Sequence, residues 1–177
     1  MSNSVPAGRP GQSDRPGRPG NPYLDADGQY RPLEISENAA ASPAYAAARA
    51  SWAAANAKDR ETWLGLWSPD GRIEDPVGPS FLDPAGDGHH GPEGLAEFWE
   101  KAVSTPDHIE FRFDRATTGG SDELLCTGTI RTHMGDQIMD AAGGVIYRVD
   151  QSGRMLSLRA FWEPDVAMAT MRPESEA

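Results

Sequence analysis

The chain has 177 residues, a net charge of −11 and a single cysteine. That length suits one domain plus a tail and allows a full hydrophobic core. The acidic balance excludes nucleic acid and anionic membranes as natural partners, and a lone Cys126 excludes an intrachain disulfide or a Cys-based zinc site. No apolar run approaches membrane-spanning length and the first residues lack a signal-peptide core, so a soluble, cytoplasmic protein is expected.

Residues 1–38 are rich in proline and glycine and carry little to bury, which predicts a disordered tail. Tyr23, Leu24, Tyr30, Leu33 and Ile35 are the side chains there that could dock, over a pocket mouth or a partner. A domain is expected over 39–168, with a loose segment over 169–177. Ser42-Pro43 opens the first helix, serine as cap and proline at a position that tolerates it. Its body from Ala44 to Ala57 is alanine-rich, so it can pack close to whatever it covers, and it carries Tyr45, Ser51 and Trp52. Asp59 caps a second short helix in which Trp63 and Trp67, four apart, share a face. Ser68-Pro69-Asp70-Gly71 has the composition of a turn.

A short strand, Arg72 to Glu74, then runs into Asp75-Pro76-Val77-Gly78. Proline biases the residue before it towards extended geometry, so Asp75 is fixed at a strand exit. Most Asp-Pro pairs only begin turns. A carboxylate held between an apolar strand and an apolar turn can also become a base near neutral pH. The loop Pro79 to Gly91 holds His89-His90, but no further ligand follows at metal-binding spacing, so it reads as an exposed or pocket-rim loop and no metal is expected. Gly91-Pro92-Glu93 opens a third helix with Leu95, Phe98, Trp99 and Val103 as its apolar stripe.

From His108 the pattern switches to period two. Strands are expected over His108–Phe113, Leu124–His133, Gln137–Val149 and Met155–Trp162, joined by Gly-, Asp- and Ser-rich turns. Sequential hairpins imply a mostly antiparallel sheet. Three helices packed on one face of such a curved sheet give an α+β cone with an apolar pocket.

At this point three segments resemble the bacterial Δ5-3-ketosteroid isomerases: Asn56-Ala57-Lys58-Asp59, Ile73 to Gly78, and Gly91 to Trp99. Ser157 to Trp162 resembles their closing strand. Ser51-Trp52, Asp59-Arg60-Glu61 and Trp63-Leu64 are similar to the actinobacterial and mycobacterial homologues in particular. The resemblance implies the cone-shaped nuclear transport factor 2-like fold of the SnoaL-like superfamily, no cofactor, a hydrophobic steroid-like ligand and a homodimer. It puts Asp75 on the catalytic base and Trp162 and Phe98 on the pocket lining, and Trp52, Trp67, Trp99, Val145 and Tyr147 are expected as further substrate-binding residues. It also departs from the family. The oxyanion-binding tyrosine of these enzymes falls on Ser51, their protonated aspartic acid on Val145, and supporting tyrosines on Trp67 and Trp99. Candidate replacement donors are Ser51, Tyr45, Tyr147, His133 or a water. Asp140, by strict alternation from Val145, should face away from the pocket. The expected activity is steroid Δ-isomerisation by an Asp base. The alternatives are a polyketide cyclase or epoxide hydrolase on the same fold, or a protein that binds a sterol-like molecule without turning it over.

Overall fold

The computed structural model describes residues 33–176, so most of the Pro/Gly-rich segment lies outside the described residues. The first helical residues already show why the chain folds as it does. Ser36 caps a short helix α1 (Glu37–Ala40), and Ser42 Oγ accepts from Tyr45 N to start α2 (Pro43–Asn56). Asp59 Oδ1 caps α3 (Arg60–Gly65) through Thr62 N. The small side chains Ala44, Ala47, Ala48, Ala54 and Ala55 are all buried, so α2 lies close against the sheet. The helix α4 (Gly91–Phe98) continues into a π-helical turn over Trp99–Val103.

The sheet contains β1 (Glu34–Ile35), β2 (Trp67–Glu74), β3 (His89–His90), β4 (His108–Thr118), β5 (Glu123–Met134), β6 (Gln137–Val149), β7 (Met155–Phe161) and β8 (Arg172–Pro173). Its order is β1-β4-β5-β6-β7-β2-β3, with β8 also on β6. The β4 to β7 meander is antiparallel as expected, while β1 on β4 and β2 on β7 are parallel pairs. Bulges bend strands, and β4 carries one between Phe113 and Arg115 opposite Gly128. A Cβ at Gly128 would collide with Arg112 O, so only glycine fits that bend. The main core fills the space between the helices and the concave side of this sheet. A smaller cluster of Met139, Ala141 and Ala167 forms where α5 (Pro164–Met168) turns back on β6, with Trp162 packed against both clusters.

Four expectations differ from the structure. Trp67, expected on the second short helix with Trp63, is instead the first residue of β2, because α3 ends at Gly65 and Trp67 pairs with Met155 of β7. Ser68–Gly71, expected as a turn, lies inside β2, where the pairing with β7 slips between Trp67 and Arg72. Residues 33–38, placed in the tail, include β1, whose Glu34 and Ile35 pair with Arg115 and Ala116. Residues 169–176, expected to be loose, are tied down: Ile138 pairs with Arg172, Thr170 Oγ1 accepts from Asp140 N, and Glu174 reaches His133. Each of these segments is held by partners far away in sequence, which local composition does not register. No helix among the described residues is long and apolar enough to cross a membrane.

Candidate functional site

The site grows from the pairing of β2 with β7. Ile73 and Glu74 lie beside Leu158 and Arg159, so the chain leaves β2 with Asp75 at the inner end of that ladder. Glu74 is locked to Arg159 at 2.7 Å, and Val77 N donates to Ala160 O at 2.8 Å beyond Pro76. The Asp75–Pro76 peptide is cis. These bonds hold the backbone on both sides of Asp75.

At the end of β7 the chain brings Trp162 over it. Trp162 Nε1–H donates to Asp75 Oδ1 at 2.6 Å. This crossing needs a bare backbone at Gly143 on β6, where a Cβ would collide with Phe161 O. Asp75 and Trp162 both line a cavity of about 330 Å³, a size in the ordinary range for small-molecule sites. Its wall is largely apolar, with Ile109, Phe111, Ile130, Ala141 and Leu158 contributed by four strands.

Asp75 is half-buried, and its exposed part faces this cavity. Around it is protein, and a bound apolar molecule would remove the remaining water. Burial therefore raises its pKa above the ordinary carboxylate range, and the Trp162 N–H offsets only part of that rise. No other hydrogen bond to the Asp75 side chain occurs among the described residues. One oxygen is held and the other is left for a ligand. A base placed over an apolar cavity in this way can take a proton from a carbon acid.

Ser51, Trp52, Phe98 and Tyr147 line the same cavity, together with Asp75 and Trp162. Trp67, Trp99 and Val145, also expected on its wall, do not line it. Trp67 and Trp99 are buried behind it, their rings 5.4 and 5.3 Å from that of Trp63. Val145 has the inward side of β6 but packs in the main core without reaching the cavity. Among the remaining donor candidates, Tyr45 and His133 do not line the cavity, and His133 sits between Glu110 and Glu174. Asp140 points away from the cavity, as expected, and is bound by Arg131 and Arg172.

The loop over residues 79–91 does reach the cavity rim, one of the two readings its sequence allowed, but the residues that form the rim were not singled out. Phe81, 55% exposed, and Leu82 line the mouth, and the Phe81 ring lies 6.0 Å from that of Trp162. Their loop is stapled by Asp83, whose carboxylate accepts from Gly86 N and Gly88 N. Lys58 Nζ donates to the carbonyls of Val103 and Pro106, both at 2.6 Å, and fixes another segment of the cavity lining. The inward wall residues Ile109 and Phe111 could have been found from their period-two spacing. The Phe81 rim has no such signal. His89 is buried against Phe98 with its Nδ1 3.9 Å from Glu97. No group of three or more His, Cys, Asp or Glu side chains among the described residues could hold a metal ion.

Residues 48–166 match the model of the SnoaL-like domain. No curated protein matches the chain. Among solved structures it is similar to the Δ5-3-ketosteroid isomerase from Mycobacterium sp., with 28% identity, a TM-score of 0.66, and 74% of this chain covering 98% of that one. It is similar to RV0760c from Mycobacterium tuberculosis, in a structure in complex with estradiol-17β-hemisuccinate, at 28% identity, TM-score 0.65, 74% of this chain and 98% of that one. An LEH-like epoxide hydrolase of M. tuberculosis, at 18% identity, TM-score 0.59, 72% of this chain and 88% of that one, shares the fold alone. With the family model spanning most of the folded residues and the curved α+β architecture matching, this chain belongs to the SnoaL-like domain family, with its nuclear transport factor 2-like fold.

Proposed function

We propose that the protein is a cofactor-free isomerase of the steroid Δ-isomerase type, with Asp75 as the base. The observation that carries this reading is the Asp75 carboxylate at an apolar cavity, with Trp162 as its one hydrogen-bond partner among the described residues. An unpaired carboxylate at such a place costs the fold free energy. Burial also tunes it towards proton transfer at neutral pH. The steroid ligand and the isomerase among its structural relatives support a flat, fused-ring ketone as substrate.

The chemistry balances without a co-reactant. Asp75 takes a proton from the carbon between the ketone and the alkene. The C–H electron pair becomes a new C=C bond and the carbonyl π pair moves onto oxygen. The protonated Asp75 then returns the proton at the far end of the conjugated system, and the carbonyl re-forms. The apolar wall excludes water that would otherwise compete for the base.

Conversion of a Δ5-3-ketosteroid to its conjugated Δ4 isomer, followed by ultraviolet absorbance, tests this. Wild type should turn over, and Asp75→Asn should lose about 10²–10⁴-fold in kcat, the usual worth of a general base. A variant as active as wild type would sink the assignment of Asp75. Saturable steroid binding without turnover in the wild type would favour the second reading, a binding protein, which the absence of a donor at Val145 supports.

A further inference from the structure

Two hydroxyls line the cavity that Asp75 lines, those of Tyr147 on β6 and Ser51 on α2. Each has its oxygen engaged in the same manner. Trp52 Nε1–H donates to Tyr147 Oη at 2.8 Å, and Trp63 Nε1–H donates to Ser51 Oγ at 3.1 Å. An indole nitrogen can only donate, so in both pairs the hydroxyl must be the acceptor. Its own proton is then left over. No described residue accepts it from either group. Tyr147 is 1% exposed and Ser51 4%, so bulk water does not serve them. The cavity is where an acceptor can enter.

Both indoles are held rigidly. Trp52 stacks on Phe111 at 5.8 Å and packs on Phe113 at 5.2 Å. Trp63 lies among Phe98, Trp67 and Trp99, so the last two act on the site through Trp63 although they do not line it. Donors fixed before the ligand arrives are the ones that stabilise developing charge without reorganising.

We propose that Tyr147 and Ser51 are paired hydrogen-bond donors to a ligand oxygen in this cavity, each with its proton turned inward by an indole, Trp52 and Trp63. This rests on the reading of Asp75 as base and extends it to the oxygen that gains charge when the carbon loses its proton. Tyr147 is the stronger donor, because a phenol is more acidic than an aliphatic hydroxyl. Burial nevertheless keeps it protonated, its pKa well above the ordinary phenol value. Trp52 and Trp63 are positioning residues. The ligand class that follows is a flat apolar molecule with a carbonyl or enolate oxygen at the end near Tyr147.

The test compares 2-naphthol with 2-methylnaphthalene, a partner of similar shape that lacks the oxygen. Affinities are measured by titration for wild type, Tyr147→Phe, Ser51→Ala and Trp52→Phe. Tyr147→Phe should weaken 2-naphthol by about tenfold or more, one hydrogen bond's worth, and leave 2-methylnaphthalene nearly unchanged. Retained binding of the second probe shows that the variant is folded. Ser51→Ala and Trp52→Phe should lose less, and Trp52→Phe should add little once Tyr147 is already Phe. In the isomerase assay Tyr147→Phe should cost about 10²–10³ in kcat. Wild type that does not prefer 2-naphthol, or a Tyr147→Phe variant that loses both probes equally, would overturn the proposal. Preference for 2-naphthol that depends on Tyr147, in a protein without isomerase turnover, would uphold the donors and remove the isomerase. Turnover that depends on Asp75 but not on Tyr147 would do the reverse.

Discussion

Asp75 and Asp140 are the same residue type on opposite sides of one sheet, and their surroundings push them in opposite directions. Burial alone would raise both. At Asp140 the guanidinium groups of Arg131 and Arg172 more than reverse it, holding the carboxyl below its ordinary range. Arg131 contacts both carboxylate oxygens, at 2.6 and 2.8 Å, and Arg172 adds a third bond at 2.9 Å. At Asp75 the described residues supply one neutral N–H and no cation, and the pKa stays raised. The outer face spends its charges on joining β5, β6 and the segment after α5. The inner face leaves one carboxylate with spare capacity. A chemically available group is recognised by the partners it lacks.

Exchanging the charge at each site would separate the two roles most sharply. The large kcat loss expected for Asp75→Asn should have no counterpart in Asp140→Asn, which should keep its turnover within a fewfold. Asp140→Asn should instead lose about 3 kcal/mol of stability, because it leaves two guanidinium groups together without their carboxylate. Urea unfolding of the two variants beside wild type checks this. A turnover loss at Asp140 comparable to that at Asp75 would break the distinction.

Acid gives a second, smaller contrast, with opposite signs. Asp75 has a raised folded-state pKa, so its ionised form costs the fold at neutral pH, and that cost fades as pH falls through the raised value. Asp140 has a depressed one, so its contribution is present above its unfolded pKa and is lost as pH falls through the folded value. Asp75→Asn should therefore melt above wild type at neutral pH, and Asp140→Asn below it. On acidification the first gap should close at a higher pH than the second. Melting curves from neutral to acid pH would show it. Gaps of the same sign would contradict the assignment.

The smallest expected effect belongs to Trp162→Phe. It keeps an aromatic ring on the cavity wall and removes the N–H that lowers the Asp75 pKa. The acid limb of the rate profile should move to higher pH, with the plateau changed little. A limb that stays in place would mean that the indole only packs.

Local chemistry made much of this legible beforehand. Ser42-Pro43 and Asp59 begin helices where they should, since a cap and its recipient lie three residues apart. The four long strands follow from alternation, and alternation also sets Asp140 outward. The proline beside Asp75 marked it as a fixed carboxylate. What stayed hidden depends on distance. Trp52 meets Tyr147 across 95 positions, and Trp162 meets Asp75 across 87. Alternation gives the face of Val145 but not its depth behind the cavity wall. The spacing of Trp63 and Trp67 suggested one helix face, but α3 stops at Gly65 and Trp67 opens β2, so their rings meet, at 5.4 Å, across two elements. The composition of Ser68–Gly71 suits a turn, yet β2 carries it as an irregularity because β7 lies alongside.

The segment following α5 has a further consequence, for solubility. Beyond Gly144 the strand β7 no longer pairs with β6. From Gln137 to Asp140 that edge is instead occupied by Thr170, Arg172 and Pro173. Uncovered main-chain donors and acceptors beside Ile138 and Met139 would be a template for strands of other molecules. A proline is a good last residue for such a cover, because its missing N–H gives the next strand less to pair with. The short β8 thus keeps the wall of the cavity from becoming a nucleus for aggregation.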